Sequence, residues 1–512
     1  MNKIYTLLLS MLVVFGSCEL DLAPENTMVD ETVYRNANTA EAALLGAYVR
    51  LNCAIAGAPN DQNYYANIGY MYLYGDVGTD NLKAQSTSTD VLAMETSQYT
   101  DTQHEGFLLD VWRNGYNAID YANNIIRGIT EYGAYDETLM RQHIAEARFI
   151  RGYVYFQLLQ LFGDQALMGN DEGLGLVMRL DPYDGYDPDI IITRSTNAQT
   201  WEQIITDLTE CVNDLPEFPS GTVTERVRAT QPVVWALLSR VYLYKGTYTN
   251  NQEELALARD YAQQVINSNA YTFSNDRSEY LTNLFPYNVY SEGFTQPTNR
   301  SSEIIFFQSS RLVEEEYQSG IYQYYSKNSF YVPDAMRSYY ESGDIRGYND
   351  TGSEEGDYLL AQGSSTSNPT LITSMKYTSD NTQDYGNDVI YMRLAEVKLT
   401  YAEALARCNN AVTQEAVDQL NDIHQRAFAD GSKPELYTTG DFASVNDFLE
   451  AVLRERNREL AYEGLHRWDI IRTNNALGDE TMGAVPSNQW NAPVPNYEIT
   501  ISEGAIQQNS GY

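Results

Sequence analysis

Apolar residues recur at helical spacing through two long stretches of the chain, with a polar, aromatic stretch between them. From Phe107 to Glu131, the positions Trp112, Ile119, Ile125 and Ile126 predict a helix with one apolar face. From Glu137 to Phe162, Ile144, Phe149, Tyr153, Phe156 and Leu159 predict another. Shorter patterns of the same period predict helices over Ala40–Leu51, Trp201–Leu215, Gln231–Tyr248 and Glu253–Asn267. After the interruption they return over Ile390–Arg407, Gln414–Phe428 and Val445–Glu463. Between the two groups, Tyr271–Asp388 is rich in Ser, Asn, Gly and Tyr, and its apolar runs are short, as at Ile304–Phe307. That texture predicts loops with a few short strands. The tail from Asn474 to Tyr512 has no clear period and holds Pro486, Pro493 and Pro495, so an irregular segment is expected.

The helical pairs carry a repeated spacing. The tetratricopeptide signature places Trp-x2-Leu-Gly-x2-Tyr on one helix and Ala-x3-Phe on the next. Trp235, Leu238, Ser239 and Tyr242 keep that order with Ser for Gly, and Ala258-x3-Ala262 follows after an insertion. Tyr391, Leu394 and Ala395 repeat the aromatic–Leu–small spacing ahead of Ala416-x3-Leu420, and Gly152-x2-Tyr155 is a partial third instance. Small residues let paired helices approach, while aromatics fill the space between pairs. The fold expected is therefore mainly α: tetratricopeptide-like helical repeats packed against an irregular, loop-rich region with a few short strands. In such a scaffold the loops are free to vary for binding.

The first residues change the picture of location. Lys3 precedes an apolar run from Ile4 to Phe15, and Gly16-Ser17 lead to Cys18. The run is shorter than the roughly 20 residues that span a bilayer, so residues 1–17 are expected to be a bacterial lipoprotein signal peptide. Cys18 would then be the acylated N-terminus, with enough acyl chains to hold the protein on a membrane. Residues 18–38 look like a tether, 39–270 a helical-repeat part, and 271–512 a C-terminal part that includes a Tyr-rich insert over 271–388.

Composition narrows the ligand. Cys18, Cys53, Cys211 and Cys408 are widely spaced, which rules out a disulfide framework. Thirty-three Lys and Arg against 70 Asp and Glu give a net charge of −37, which repels nucleic acid and anionic headgroups. Acidic ligands are disfavoured too, unless a local basic pocket overrides the field. The chain has 42 Tyr against 5 Trp. A Tyr ring offers an apolar face with a hydroxyl at its edge, which suits ligands built like sugars.

Motifs for chemistry are absent. Arg454–Asp469 is dense in carboxylates and contains His466. On a helix, Glu455, Glu459 and Glu463 would stack one turn apart beside Arg454 and Arg458, giving ion pairs in a structural network that joins the last repeat to the core. His104, His143, His424 and His466 form neither HxH nor HExxH, so no metal is expected. There is no GxSxG, Walker A loop or Rossmann fingerprint, and nothing among the 70 acids selects a pair for glycoside hydrolysis. No catalytic residue and no cofactor are expected.

Several stretches, in their order along the whole chain, resemble the SusD/RagB family of Bacteroidetes nutrient-binding lipoproteins. They are Trp112-Arg113-Asn114-Gly115-Tyr116, Ala145-Glu146-Ala147-Arg148-Phe149 through Tyr153, and Leu161-Phe162-Gly163-Asp164. Further on come Tyr391-Met392-Arg393-Leu394-Ala395-Glu396, Arg454-Glu455-Arg456-Asn457-Arg458-Glu459, Glu463-Gly464-Leu465-His466-Arg467-Trp468-Asp469 and the end Gln508–Tyr512. The resemblance implies a SusD-like fold and a lipoprotein on the outer face of the outer membrane. It also implies a partner, a SusC-type TonB-dependent transporter that the protein covers. The ligand implied is an oligosaccharide, or a peptide as in the RagB branch. An assembly role without ligand affinity is a third possibility.

The resemblance also directs attention to the loop after the first helices, where polar residues of SusD-like proteins meet sugar. In Tyr64–Tyr99, Asp76, Asp80 and Asn81 are the candidates, because Asp and Asn present acceptors and donors on a short stem. Tyr99 is the candidate stacking face. The competing reading makes Asp76 and Asp80 turn and capping residues beside Gly75 and Gly78. The second candidate segment runs from Tyr280 to Tyr331, with Tyr290, Phe294, Tyr322 and Tyr325 as candidate platforms, against simple loop packing. Arg393 is a candidate hydroxyl contact, with an internal ion pair as its alternative.

Overall fold

A computed structural model of the chain describes residues 30–52, 69–85, 89–99, 106–185, 191–218, 226–277, 284–285, 301–308, 330–348, 359–362, 371–374, 376–377, 389–429 and 431–512. Cys18, Cys53, Tyr290, Phe294, Tyr322 and Tyr325 lie outside these residues.

The N-terminal half begins with α1 (Asp30–Tyr34), α2 (Ala37–Asn52), α3 (Gly69–Asp76), the short strand β1 (Lys83–Ala84) and α4 (Thr89–Thr96). The two longest helices, α5 (Phe107–Tyr132) and α6 (Glu137–Phe162), form a hairpin, followed by α7 (Asn197–Cys211), α8 (Gln231–Thr247) and α9 (Gln252–Ser268). Their ends are set locally. Asp136 accepts a hydrogen bond from the Leu139 N–H to start α6, Thr196 and Gln199 form a capping box at α7, and Asn251 caps α9. Pro232 occupies the first turn of α8, where its missing N–H costs nothing.

The middle contributes three two-stranded antiparallel ribbons. β2 (Ile304–Gln308) pairs with β6 (Val389–Arg393), β4 (Leu360–Gln362) with β5 (Ile372–Ser374), and β1 with β3 (Phe330–Tyr331). A short helix, α10 (Asp334–Arg337), follows β3. Helices return as α11 (Leu394–Asn409), α12 (Gln414–Arg426), α13 (Val445–Leu460), α14 (His466–Arg472), α15 (Glu480–Gly483) and α16 (Asn496–Ile501).

Neighbouring helices stack in series: α5 on α6, α6 on α7, α8 on α9, α9 on α11, and α11 on α12 and α13. One continuous apolar cluster runs through all of them, from Tyr34 to Ile506. The small residues of the repeat spacing sit at these seams, since Ser239, Ala258, Ala262 and Ala416 are all buried.

Two expectations are corrected. The helix expected from Ile390 starts only at Leu394, because Val389–Arg393 is a buried strand hydrogen-bonded to Ile304–Gln308. A run of Val, Ile, Tyr and Met favours a strand once a partner ladder is present. Tyr391, expected on a repeat helix, therefore stands on β6. The tail is also less irregular than expected. Asn509 donates to the carbonyls of Phe162 and Ala492, and Arg194 donates to the Asn509 side chain at 2.7 Å, so the last residues are pinned to the end of α6. Among the described residues, no helix is long and apolar enough to cross a membrane.

Candidate functional site

The turn after α3 is built onto the far end of the chain. Asp76 is fully buried, and its carboxylate accepts from Asn81 Nδ2 (3.0 Å) and from the N–H groups of Gly464 (2.8 Å) and Tyr462 (3.3 Å). Burial pushes the Asp76 carboxyl above its ordinary range, against the pull of these donors. Asn81, also fully buried, donates to Asn457 Oδ1 at 2.9 Å. The approach is close enough to require glycine on both sides. A Cβ on Gly75 would lie 2.0 Å from the Gly464 carbonyl oxygen, and Gly464 itself holds φ at +75°.

Asp80 is half-buried at the N-terminus of α15. Its carboxylate accepts from the N–H groups of Glu480 (2.9 Å) and Thr481 (3.2 Å) and from the Thr481 hydroxyl (2.8 Å). Its own N–H donates to Asp479 Oδ2 at 2.7 Å. Asp479 faces His466 at 3.3 Å, and although burial opposes it, the imidazole holds this carboxyl below its usual range. Lys83 of β1 reaches the Thr481 hydroxyl. Tyr99 is half-buried and meets Tyr512 edge to face, ring centroids 6.1 Å apart.

Arg393 lies inside the protein, with 1% exposure. Its guanidinium bonds Glu463 (2.8 Å), Glu303 (2.8 Å) and Glu459 (2.5 Å). Arg346, Lys376 and Arg426 join the same network through Glu455, Glu459, Glu463 and Glu303. Glu455 and Glu459 of α13 and Glu463 just beyond it are buried; they pair with these cations, and Glu455 also meets Arg458 of its own helix at 3.7 Å. Burial alone would raise the Glu455 carboxyl, yet Arg346, His424 and Arg458 hold it at about 2. Asp76, Asn81 and Arg393 are buried, and the bonds named above tie each of them to other parts of the fold.

The structure does join the two candidate ligand segments. β1 and β3 pair in the register Lys83↔Tyr331 and Ala84↔Phe330, so the chain leaving β1 and the chain entering β3 meet at one end of the ribbon. Lys83 and Tyr331 are half-buried. The Tyr-rich insert has a second anchor in a small separate core of Leu284, Phe285, Ile304, Phe307, Ile345, Leu359 and Ile390. Lys376 Nζ stands 4.8 Å from the centre of the Phe285 ring.

One feature was missed by sequence reasoning. Trp112, Arg113, Tyr116 and Asn117 of α5 form a cleft of about 230 Å³ with Val177, Arg179, Glu498 and Ile506. Arg113 lies over the exposed ring of Tyr497, 4.4 Å from its centre. The pairing of α5 with residues nearly 400 positions away left no local sign in the sequence.

Two family models match in succession. One described as starch-binding and associating with the outer membrane covers residues 50–243, and the SusD family model covers residues 243–491. The chain belongs to the SusD/RagB family. Its relatives within this family include SusD-like protein P2 of Formosa agariphila, 24% identical over 99% of both chains. A SusD-like protein of Bacteroides ovatus is 23% identical over 93% of this chain and 83% of its own. Among solved structures, a SusD superfamily protein of Bacteroides thetaiotaomicron is 24% identical with a TM-score of 0.70, over 93% of this chain and 99% of the other. Surface glycan-binding protein A of Bacteroides fluxus is 18% identical, also with a TM-score of 0.70, over 93% and 100%. The mainly helical fold of these neighbours is shared here in the stacking of α5 to α13. Among the described residues, no group of three or more His, Cys, Asp or Glu stands together as a metal holder.

Proposed function

We propose that this SusD/RagB protein is a cell-surface lipoprotein that binds oligosaccharides and passes them to a SusC-type TonB-dependent transporter, without performing chemistry on them. The observation that carries the reading is the β1–β3 ribbon. It pairs the segment that follows the Asp/Asn turn with the end of the Tyr-rich stretch, at Lys83↔Tyr331 and Ala84↔Phe330. Sugars are bound by stacking on aromatic faces and by hydrogen bonds to short polar side chains. Asp80 and Tyr99 flank the ribbon, and Tyr290, Phe294, Tyr322 and Tyr325 belong to the insert. These six are the proposed contacts. Cys18 is the proposed acylation site that holds the protein at the outer membrane. The family description and the name of the Bacteroides fluxus neighbour support a glycan over a peptide as ligand.

Isothermal titration of residues 19–512 against plant, fungal and bacterial polysaccharides, with a casein digest alongside, tests the reading. Heat with a glycan that disappears in Tyr99→Ala, with the fold retained, is the expected result. Heat with the digest alone would transfer the proposal to peptide capture, and silence on every probe would leave an assembly role beneath the transporter.

A further inference from the structure

The α5 cleft stands on elements other than the β1–β3 ribbon and its anchor at residues 479–481. Its walls are aromatic, from Trp112 and Tyr116, and its mouth is polar, from Arg113, Asn117, Arg179 and Glu498. At about 230 Å³ it falls below the roughly 300–1,000 Å³ of drug-sized pockets and suits a single sugar ring. Many guanidinium groups elsewhere are paired with carboxylates, as at Arg151–Asp207, Arg240–Glu396 and Arg472–Glu403. Arg113 and Arg179 instead lie over the rings of Tyr497 and Tyr183, and among the described residues neither guanidinium forms an ion pair or hydrogen bond. An acid, Glu498, also lines the cleft. Burial raises its carboxyl, while Arg113 and Arg179 pull it down from beyond ion-pair distance.

We propose that this cleft is a second glycan subsite, selective for a uronic acid residue whose carboxylate is taken by Arg113 and Arg179. Each planar guanidinium matches a carboxylate in two-point geometry, which a sugar hydroxyl cannot equal. The Tyr rings fix both guanidinium groups in place before ligand arrives. Asn117 and Glu498 are left to bond ring hydroxyls, with Trp112 and Tyr116 beneath. The net charge of −37 does not forbid an acidic ligand here, because exposed charges are screened beyond about 8 Å at physiological salt. The inference rests on the glycan-binding reading for the ligand's class and adds its charge.

The test titrates residues 19–512 with galacturonate and glucuronate tetramers and with their carboxyl-reduced counterparts. The expected result is binding of a uronate tetramer at least tenfold tighter than of its reduced form. Arg113→Ala and Arg179→Ala should each weaken it about tenfold, and Arg113→Lys less. Glu498→Gln removes a like charge from the mouth, so it should tighten uronate binding severalfold and leave neutral glycans unmoved. Arg113 is exposed, so its variants report on ligand and not on folding. Equal affinity for acidic and reduced forms, indifference to both Arg variants, or no binding of either uronate would overturn the inference. Neutral glycans that still bind in those cases would leave the β1–β3 reading standing, whereas silence on neutral and acidic glycans alike would sink both.

Discussion

Arg393→Met separates a structural guanidinium from a ligand contact. Five buried cations, Arg346, Lys376, Arg393, Arg426 and Arg458, face five buried carboxylates, Asp344, Glu303, Glu455, Glu459 and Glu463. Methionine keeps most of the side-chain volume but removes one cation, which leaves four against five. It also removes donors from three carboxylates that have no route to water. Deleting one member of a buried pair costs about 3–5 kcal/mol. Urea unfolding of residues 19–512 should therefore show that loss in stability with the slope unchanged. The pH dependence carries a second signature. In the native protein the Glu455 carboxyl is held at about 2 against an ordinary 4.5, so its contribution is full above pH 4.5 and fades as pH falls toward 2. In the variant, Glu459 and Glu463 lose a cation and can relieve the excess charge by taking up protons. Its deficit should therefore shrink between pH 7.5 and pH 4.5. A stability loss below about 1 kcal/mol, or a loss of glycan binding with stability intact, would refute the placement of Arg393 inside the network.

Gly464→Ala should be more damaging than a surface Gly→Ala change. The residue holds φ at +75°, and a Cβ would lie 2.5 Å from the Tyr72 backbone. The backbone conformation alone costs about 1–3 kcal/mol, and the clash adds to it, so a sharp fall in soluble yield and melting temperature is expected. Asp80→Ala should cost about 1–2 kcal/mol through lost capping of α15 and speed amide exchange at Glu480 and Thr481, with Asp80→Asn milder in both. Unchanged exchange at those two amides would show that the cap carries no load. Cys211 is buried and its thiol is pushed well up, whereas Cys408 is half-buried, so iodoacetamide should modify Cys408 first and reach Cys211 only on unfolding.

The helical scaffold was legible because its periodicity is local. The α6 bounds expected from Ile144, Phe149, Tyr153, Phe156 and Leu159 coincide with the observed Glu137–Phe162. The β6 strand was not legible, since Val389–Arg393 becomes a strand only through Ile304–Gln308, more than 80 residues earlier. The candidate site divides in the same way. Asp and Asn beside two glycines were visible as polar turn residues, but apart from the Asp76–Asn81 bond their named partners lie far along the chain, at Tyr462 and Gly464 for Asp76, Asn457 for Asn81, and Glu480 and Thr481 for Asp80. Spacing alone offered a sugar contact and a structural cap on equal terms, and the long-range bonds that Asp76 and Asp80 make could not be read from it. The same holds for Glu455, Glu459 and Glu463. Their one-turn stacking suggested pairs with Arg454 and Arg458, and Glu455 does meet Arg458, but their other cations come from β6, α12 and the loops around α10 and β5.

These long-range bonds have a common consequence for binding. The segments proposed to meet ligand diverge from anchors that ligand need not disturb: the β1–β3 ribbon, the Asp80 contact with α15, and the small core under Phe285. Each anchor is tied to the C-terminal helices, and those are locked by ion pairs that cannot rearrange without exposing buried charge. Loops held at both ends in this way can change sequence without moving the frame that presents them. The α5 cleft follows the opposite design, with its aromatic and charged groups on α5, on the segment at Val177–Arg179 and on α16, all within the packed scaffold. A site of that kind is pre-formed and loses little freedom on binding. Changes in the loops should therefore alter which glycan the ribbon edge accepts, while the charge preference of the cleft stays constant.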